Sequence, residues 1–191
     1  MNFTDLRQPQ PLNLKKNDVL NLTKTEPSLK NCMLAAGWDV MAHGANADLD
    51  ISAFLLNSNK KGIGVVYFNA MQANGIQLMG DNRTGQGDGD NEEIMISLDD
   101  IDNNVQSIIF NITIYNAKAL HQTFGMVKNA YVRLVNTDTD KEVCRYPLTS
   151  DFSTDTAVIV CSLERTAHEW EFHALGEGFI GDLQDLYNRY L

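Results

Sequence analysis

The 191-residue chain carries 15 Lys and Arg against 25 Asp and Glu, a net charge of −10 that repels a nucleic-acid backbone and favours cations or basic partners. Its length suits one domain able to bury roughly 70% of its unfolded surface, and its three cysteines, Cys32, Cys144 and Cys161, lack the pairing or CxxC spacing of a disulfide framework or thiolate zinc site. No apolar run approaches the ~18 residues of a membrane span and no secretory leader pattern opens the chain, so a cytoplasmic protein without direct membrane insertion is expected, with docking to a membrane-bound partner left open.

Residues 1–11, with little apolar content beyond Phe3 and Leu6, are expected to form a flexible tail ahead of a single domain over 12–191. Alternation at 12–14 and 19–22 around a turn at 15–18 predicts a hairpin. Residues 31–38 are apolar enough for a buried strand that delivers Asp39. After a polar loop, 48–56 reads as a strand whose period of two sends Asp48, Asp50 and Ser52 to one side and Leu49, Ile51, Ala53 and Leu55 to the other. A strand at 64–69 follows, then a hairpin at Asn74-Gly75 and a strand at 76–79.

Beyond residue 93, strands are expected at 94–98, 105–115, 130–135, 141–146, 156–164 and 169–175, with a short helix between 117 and 124. Residues 179–191 place Ile180, Leu183, Leu186, Tyr187 and Tyr190 at three- and four-residue spacing, one face of an amphipathic helix that caps the sheet. About ten short strands with regular turns predict an all-β fold, a mainly antiparallel β-sandwich with a few short helices.

Between the strands ending at 79 and starting at 94 lies a run, 81–93, with five carboxylates, three glycines and no apolar side chain. Carboxylates this dense repel one another unless a cation neutralises them, and the closely spaced glycines let backbone carbonyls turn toward the same cation. The run does not fit an EF-hand: started at Asp81 it has Arg83 at position three, and started at Asp88 it has Glu93 where glycine belongs. It is no P-loop either, since Gly80 and Gly85 are followed by Gln86-Gly87 rather than Lys-Ser/Thr. One turn of a calcium β-roll is matched, but without the tandem repeats of such folds. Hard oxygen ligands with only His43 nearby favour calcium over zinc or copper, and magnesium does not call for so many protein oxygens. A solvated acidic turn is the plain alternative, and the paired Asp48 and Asp50 speak against it.

Taken together, these segments resemble the TerD family of tellurium-resistance and stress-response proteins. The matching residues are Gly37-Trp38-Asp39, the stretch 48–56, Gly80 through Gly85, and Gly87-Asp88-Gly89-Asp90-Asn91-Glu92. Further matches are Phe124-Gly125 with Asn129-Ala130, Arg133-Leu134-Val135, Glu169-Trp170-Glu171-Phe172 and 174–178. The resemblance implies a cytoplasmic β-sandwich that binds calcium, two or more ions, with no established catalytic activity. Carried over by position, the implied metal-site residues are Asp39, Asp48, Asp50, Asp81, Asn82, Thr84, Gly85, Asp88, Asp90, Asn91 and Glu92. Implied partners are other proteins of the tellurium-resistance system, and no nucleic acid. The chain departs from the family pattern at Asn91, where an aspartate is usual, which removes a charge while keeping a carbonyl oxygen.

The remaining candidates read as structural. His121, His168 and His173 are dispersed, and no serine or cysteine sits in a nucleophile elbow. Trp38 and Trp170 read as core aromatics, Met71 and Met79 as gap-fillers, and Cys144 and Cys161 as inert thiols. The resulting expectation is a non-enzymatic calcium-binding scaffold or sensor. A metal-dependent hydrolase or phosphoesterase using the same carboxylates is the alternative from another class, and calcium-dependent binding to anionic lipid is a third.

Overall fold

The computed structural model describes residues 10–39, 47–80, 89–148, 152–167 and 169–191. The proposed tail therefore lies outside the described residues up to 9, as do 40–46 and His168. The strands are β1 (Leu12–Asn13), β2 (Val19–Asn21), β3 (Asn31–Asp39), β4 (Leu49–Leu56), β5 (Gly62–Val66), β6 (Gln72–Ala73), β7 (Ile76–Leu78), β8 (Glu92–Ser97), β9 (Ser107–Ile114), β10 (Lys128–Asn136), β11 (Lys141–Pro147), β12 (Ala157–Arg165) and β13 (Trp170–Phe179). Among the described residues three short α-helices accompany them: α1 (Leu22–Thr25), α2 (Ala117–Leu120) and α3 (Leu183–Tyr190).

The strands form a sandwich of a seven-stranded sheet, ordered β1-β11-β10-β3-β8-β7-β6, and a six-stranded sheet, ordered β2-β13-β12-β9-β4-β5. Pairing is antiparallel except where β1 runs parallel to β11. Alternation sets the interior. Cys32, Leu34, Ala36 and Trp38 of β3 face Leu49, Ile51, Ala53 and Leu55 of β4 and Ile108, Phe110 and Ile112 of β9 across one continuous core. The polar-side assignment of Asp50 and Ser52 holds, with the apolar set of β4 inward. Burial raises the thiols of Cys32 and Cys144 to about 12 and that of Cys161 well above its ordinary value, so all three are inert packing groups.

A second, smaller core lies on the outside of the six-stranded sheet, where α3 seats Leu186 against Phe54, Leu56, Ile109 and Ile159. This cover explains why the outward Phe54 and Leu56 of β4 and Ile109 of β9 are buried on that face. The helix starts at Asp182, whose Oδ1 accepts from the Gln184 and Asp185 amides while Asp185 Oδ2 accepts from the Asp182 amide, a reciprocal capping box.

Several expectations need correction. Residues 12–14 and 19–22 are not a hairpin: β1 joins β11 in one sheet and β2 joins β13 in the other, with the turn at Asn17 (φ 70°) carrying the chain across the edge of the sandwich. The strand expected to reach residue 69 ends at Val66, because Tyr67 and Ala70 bond each other in a tight turn. Ile180 is not on the helix face but 80% exposed ahead of α3, since β13 continues to Phe179. Met71 and Met79 are exposed rather than filling core gaps. The Asn74-Gly75 turn is as expected, both residues having positive φ (44° and 78°).

Truncation of the helix anchor measures the second core: Leu186→Ala is expected to cost about 2–5 kcal/mol in urea unfolding, and Leu186→Met less than about 1.5 kcal/mol.

Candidate functional site

The acidic run is the connection of the β7–β8 hairpin. Leu78 pairs with Ile94, and the Met79 amide donates to the Glu93 carbonyl at 2.9 Å, so the chain leaves and re-enters the seven-stranded sheet at adjacent points. Asp81, Asn82, Thr84, Gly85 and Asp88 lie outside the described residues. The described part resumes at Gly89, whose φ of 98° suits glycine.

The next three residues lock the loop's exit to the sandwich, each differently. Asp90 accepts from Arg133 Nε at 2.9 Å and Nη2 at 2.6 Å, and from the Tyr131 hydroxyl at 2.9 Å, with only 4% of its side chain exposed. Asn91 donates its amide to the Ala36 carbonyl and accepts the Trp38 amide on Oδ1, both at 2.8 Å. Glu92 points into the sandwich, 3% exposed, and its Oε2 accepts the Ile51 amide of the opposite sheet at 2.7 Å. That donor is available because β5 pairs with β4 only from Ala53 onward. The departure at Asn91 thus falls on a residue whose oxygen is a backbone anchor. Its buried Nδ2, like the buried Trp38 Nε1, has no acceptor among the described residues.

The upstream acids fall into two groups. Asp39 ends β3, two residues beyond Gly37 on the same side of the strand, and its Oδ2 accepts from Asn129 Nδ2. Asn129 reaches it from the irregularity between Lys128 and Tyr131 in β10, where its own φ is 51°. Asp50 lies on the outer side of the other sheet, 7% exposed, on the wall of a groove of about 1500 Å³ shared with Tyr67, Phe68, Thr113 and the start of α3. Asp48 precedes it, its carbonyl accepting the Tyr115 amide. Asp39 and Asp90 therefore belong to the seven-stranded side, Asp48 and Asp50 to the six-stranded side, with Asn91 and Glu92 between them. Among the described residues no three His, Cys, Asp or Glu side chains converge as a metal site requires.

Sequence reading missed the cluster that holds Asp90. Arg133 Nη1 and the Arg145 Nε and Nη2 all donate to Glu142, at 3.0, 2.7 and 2.9 Å, and the Arg145 guanidinium lies 4.1 Å over the Tyr131 ring. The ring in turn covers Gly37, where a Cβ would come within 2.5 Å of it. The available signal was the alternation in β10, where Tyr131 and Arg133 interrupt the inward Ala130, Val132 and Leu134.

The two arginines, Arg145 foremost, hold the Glu142 carboxyl below its ordinary value of 4.5. A lowered folded value means the stabilisation is complete above the unfolded value and is lost as pH falls through the folded one. The stability advantage of the wild type over Glu142→Gln is therefore expected to be constant above pH 4.5 and to shrink below it, as read by urea unfolding across a pH series. Arg133→Met strands the buried Asp90 and is expected to cost about 3–5 kcal/mol; Arg133→Met with Asp90→Asn is expected to be more stable than the single variant, because the unpaired charge is gone.

A family model for the TerD domain matches residues 11–190. The tellurium resistance protein TerD of Serratia marcescens is 44% identical over 185 residues, covering 94% of this chain and 96% of that protein. General stress protein 16U of Bacillus subtilis (strain 168) is 39% identical over 179 residues, covering 90% and 93%. A solved structure described as a homologue of telluride resistance protein (TerD) from Streptomyces coelicolor A3(2) superposes with a TM-score of 0.69 at 25% identity, over 83% of this chain and 95% of that one. With the match running from the start of β1 to the last residue of α3, the chain belongs to the TerD family of tellurium-resistance and stress-response proteins.

Proposed function

We propose that the protein is a cytoplasmic, non-enzymatic, calcium-binding scaffold or sensor of a tellurite- and stress-resistance system. The observation that carries this reading is the anchoring of the loop's exit: Asn91 bonds the amide preceding Asp39, and Glu92 bonds the amide following Asp50. One acidic loop is thereby tied to the backbone beside both upstream acidic segments. The donor set is all oxygen, which suits calcium. Asn91 Nδ2 and Trp38 Nε1 call for oxygen acceptors at the base of the loop, and the run 81–88 is rich in them.

In this reading Asp48 and Asp50 on one side and Asp39 on the other, each with oxygens of Asp81, Asn82, Thr84, Gly85 and Asp88, hold separate ions, in keeping with two or more. Asp90 contributes through its Arg133 pairing, fixing the loop's exit, while Asn91 and Glu92 fix its direction. Calcium supplies the positive charge that lets these carboxylates approach, and so fixes the surface offered to other proteins of the resistance system. A membrane-bound protein is one such partner.

Calorimetric titration of the intact protein with calcium is expected to show saturable binding, and the melting temperature to rise with calcium and fall back with EDTA. At a hundredfold excess over Kd the gain is about 2.7 kcal/mol per site. Asp50→Asn and Asp39→Asn should each reduce the shift, and the double variant should reduce it further. No binding heat, with melting curves indifferent to calcium, refutes the proposal; calcium-dependent phosphoester turnover lost in Asp50→Asn replaces it with the hydrolase reading.

A further inference from the structure

The end of the sandwich away from the acidic loop holds a second pocket, built around Arg165. Along β9, Thr113 pairs with Asp50 and Ser107 with Leu56, and the Arg165 amide bonds the Gln106 carbonyl one residue further on. Arg165 therefore sits about 20 Å along the sheet from Asp50, at ~3.3 Å per residue. It closes the β12–β13 hairpin opposite Trp170, and the two wall a cavity of about 370 Å³ with α1 and the turn after β8.

Arg133, Arg145 and Arg189 each have a carboxylate within salt-bridge distance. Arg165 has none among the described residues. Its Nη2 donates to the Ile101 and Asp102 carbonyls at 3.0 and 3.3 Å and its Nη1 to Asn103 Oδ1 at 3.3 Å, all neutral acceptors. Among the described residues, one N–H of Nη1 is left over and the buried Nε has no partner. The guanidinium lies 4.6 Å over the Trp170 indole. Burial disfavours its charge more than Asp102 supports it, and the Asp102 carboxylate is itself bonded to the Asn104 amide.

The acids that line the cavity have lysine partners rather than Arg165. Glu26 pairs with Lys141, Glu169 with Lys24 at 3.4 Å and Asp99 with Lys30 at 3.7 Å. Asp102 supports the guanidinium charge without bonding it, so the free N–H of Nη1 still faces no carboxylate partner among the described residues. Apolar wall is supplied by Pro27, Leu29, Leu98 and Ile101 together with the indole. The Trp170 backbone amide donates to Thr23 Oγ1 at 3.0 Å, tying the start of β13 to α1 at the cavity wall.

We propose that this pocket binds a small organic monocarboxylate, its carboxylate on Arg165 and its apolar body against Trp170 and Leu29. One free guanidinium N–H offers a single charge-assisted bond, which a carboxylate can accept, and Asp102 beside the guanidinium disfavours a phosphate dianion more than a monoanion. The site is independent of the calcium reading, since it shares no residue with it.

The test is an NMR titration of the full chain with benzoate, its neutral counterpart benzamide, and inorganic phosphate. Benzoate is expected to shift the Trp170 indole N–H and the amides around Arg165 saturably, with benzamide and phosphate at least about tenfold weaker, equivalent to ~1.4 kcal/mol. Asn103→Asp places a carboxylate beside Nη1 without removing a wall and should weaken benzoate binding at least about tenfold. Arg165→Lys, which keeps the charge but loses the planar fork, should weaken it less than Asn103→Asp. Equal binding of benzamide, tighter binding of phosphate, unchanged affinity in Asn103→Asp, or no saturable shift with benzoate each overturns the assignment.

Discussion

The loop end of the molecule depends on the Glu92 carboxylate. A side chain 3% exposed is tolerated there only because it finds a donor, and its donor is the Ile51 amide of the opposite sheet. The bond is charge-assisted and shielded from water, conditions that place it at the upper end of hydrogen-bond contributions, about 1.5–3 kcal/mol. It ties β8 to β4 across the mouth of the sandwich, where β5 has not yet begun to pair. One residue earlier, Asn91 makes the equivalent tie to Trp38 within its own sheet. Movement of the loop's exit must break one of these bonds and strand a buried amide, so loop geometry and sheet packing are coupled at this point.

The same arrangement explains which parts of the site were legible in sequence. Alternation along 48–56 placed Asp50 and Ser52 on one face because period two is set by the backbone itself. Composition marked 81–93 as a connection, and the structure shows the strands that bracket it. Roles within the run were not legible. Asp90, Asn91 and Glu92 are adjacent acids or amides in sequence, yet one answers a cross-strand arginine, one a backbone amide in its own sheet and one a backbone amide in the other. Those partners lie some forty to fifty residues away in the chain, and no local pattern encodes them. The hairpin expected at 12–22 failed for a related reason: alternation specifies a strand but not the sheet it joins, and here consecutive strands separate at the sandwich edge.

A helical cover accounts for the burial of the apolar outward residues of β4 and β9. A strand exposed on one face would show polar residues throughout that face. In β4 the outward positions instead run Asp50, Ser52, Phe54 and Leu56, polar toward the loop end and apolar away from it. Helix α3 lies on the apolar half, with Tyr187 and Tyr190 against Phe54 at ring separations of 5.6 and 5.3 Å. The polar half opens into the groove beside Asp50. The gradient along a single strand therefore decides how far the helix covers the sheet and where the groove beside Asp50 begins.

Charge is partitioned along the same axis. On the outer face of the seven-stranded sheet, Asp90 and Glu142 are answered by Arg133 and Arg145, so that cluster is close to neutral and acts as a clamp. At the far end, lysines answer the acids that line the cavity, while Arg165 rests on neutral acceptors with Asp102 close by. The loop end is different in composition: acids at 39, 48, 50, 81, 88, 92 and 93 stand against Arg83 alone in the runs 39–50 and 81–93 once Asp90 is assigned to its arginine. A uniform net charge of −10 would predict attraction of cations everywhere. The local pairings break that uniformity: the clamp is close to neutral, the far end keeps Arg165 on neutral acceptors, and the loop end concentrates acids in sequence, so the proposed cation and carboxylate sites fall at opposite ends.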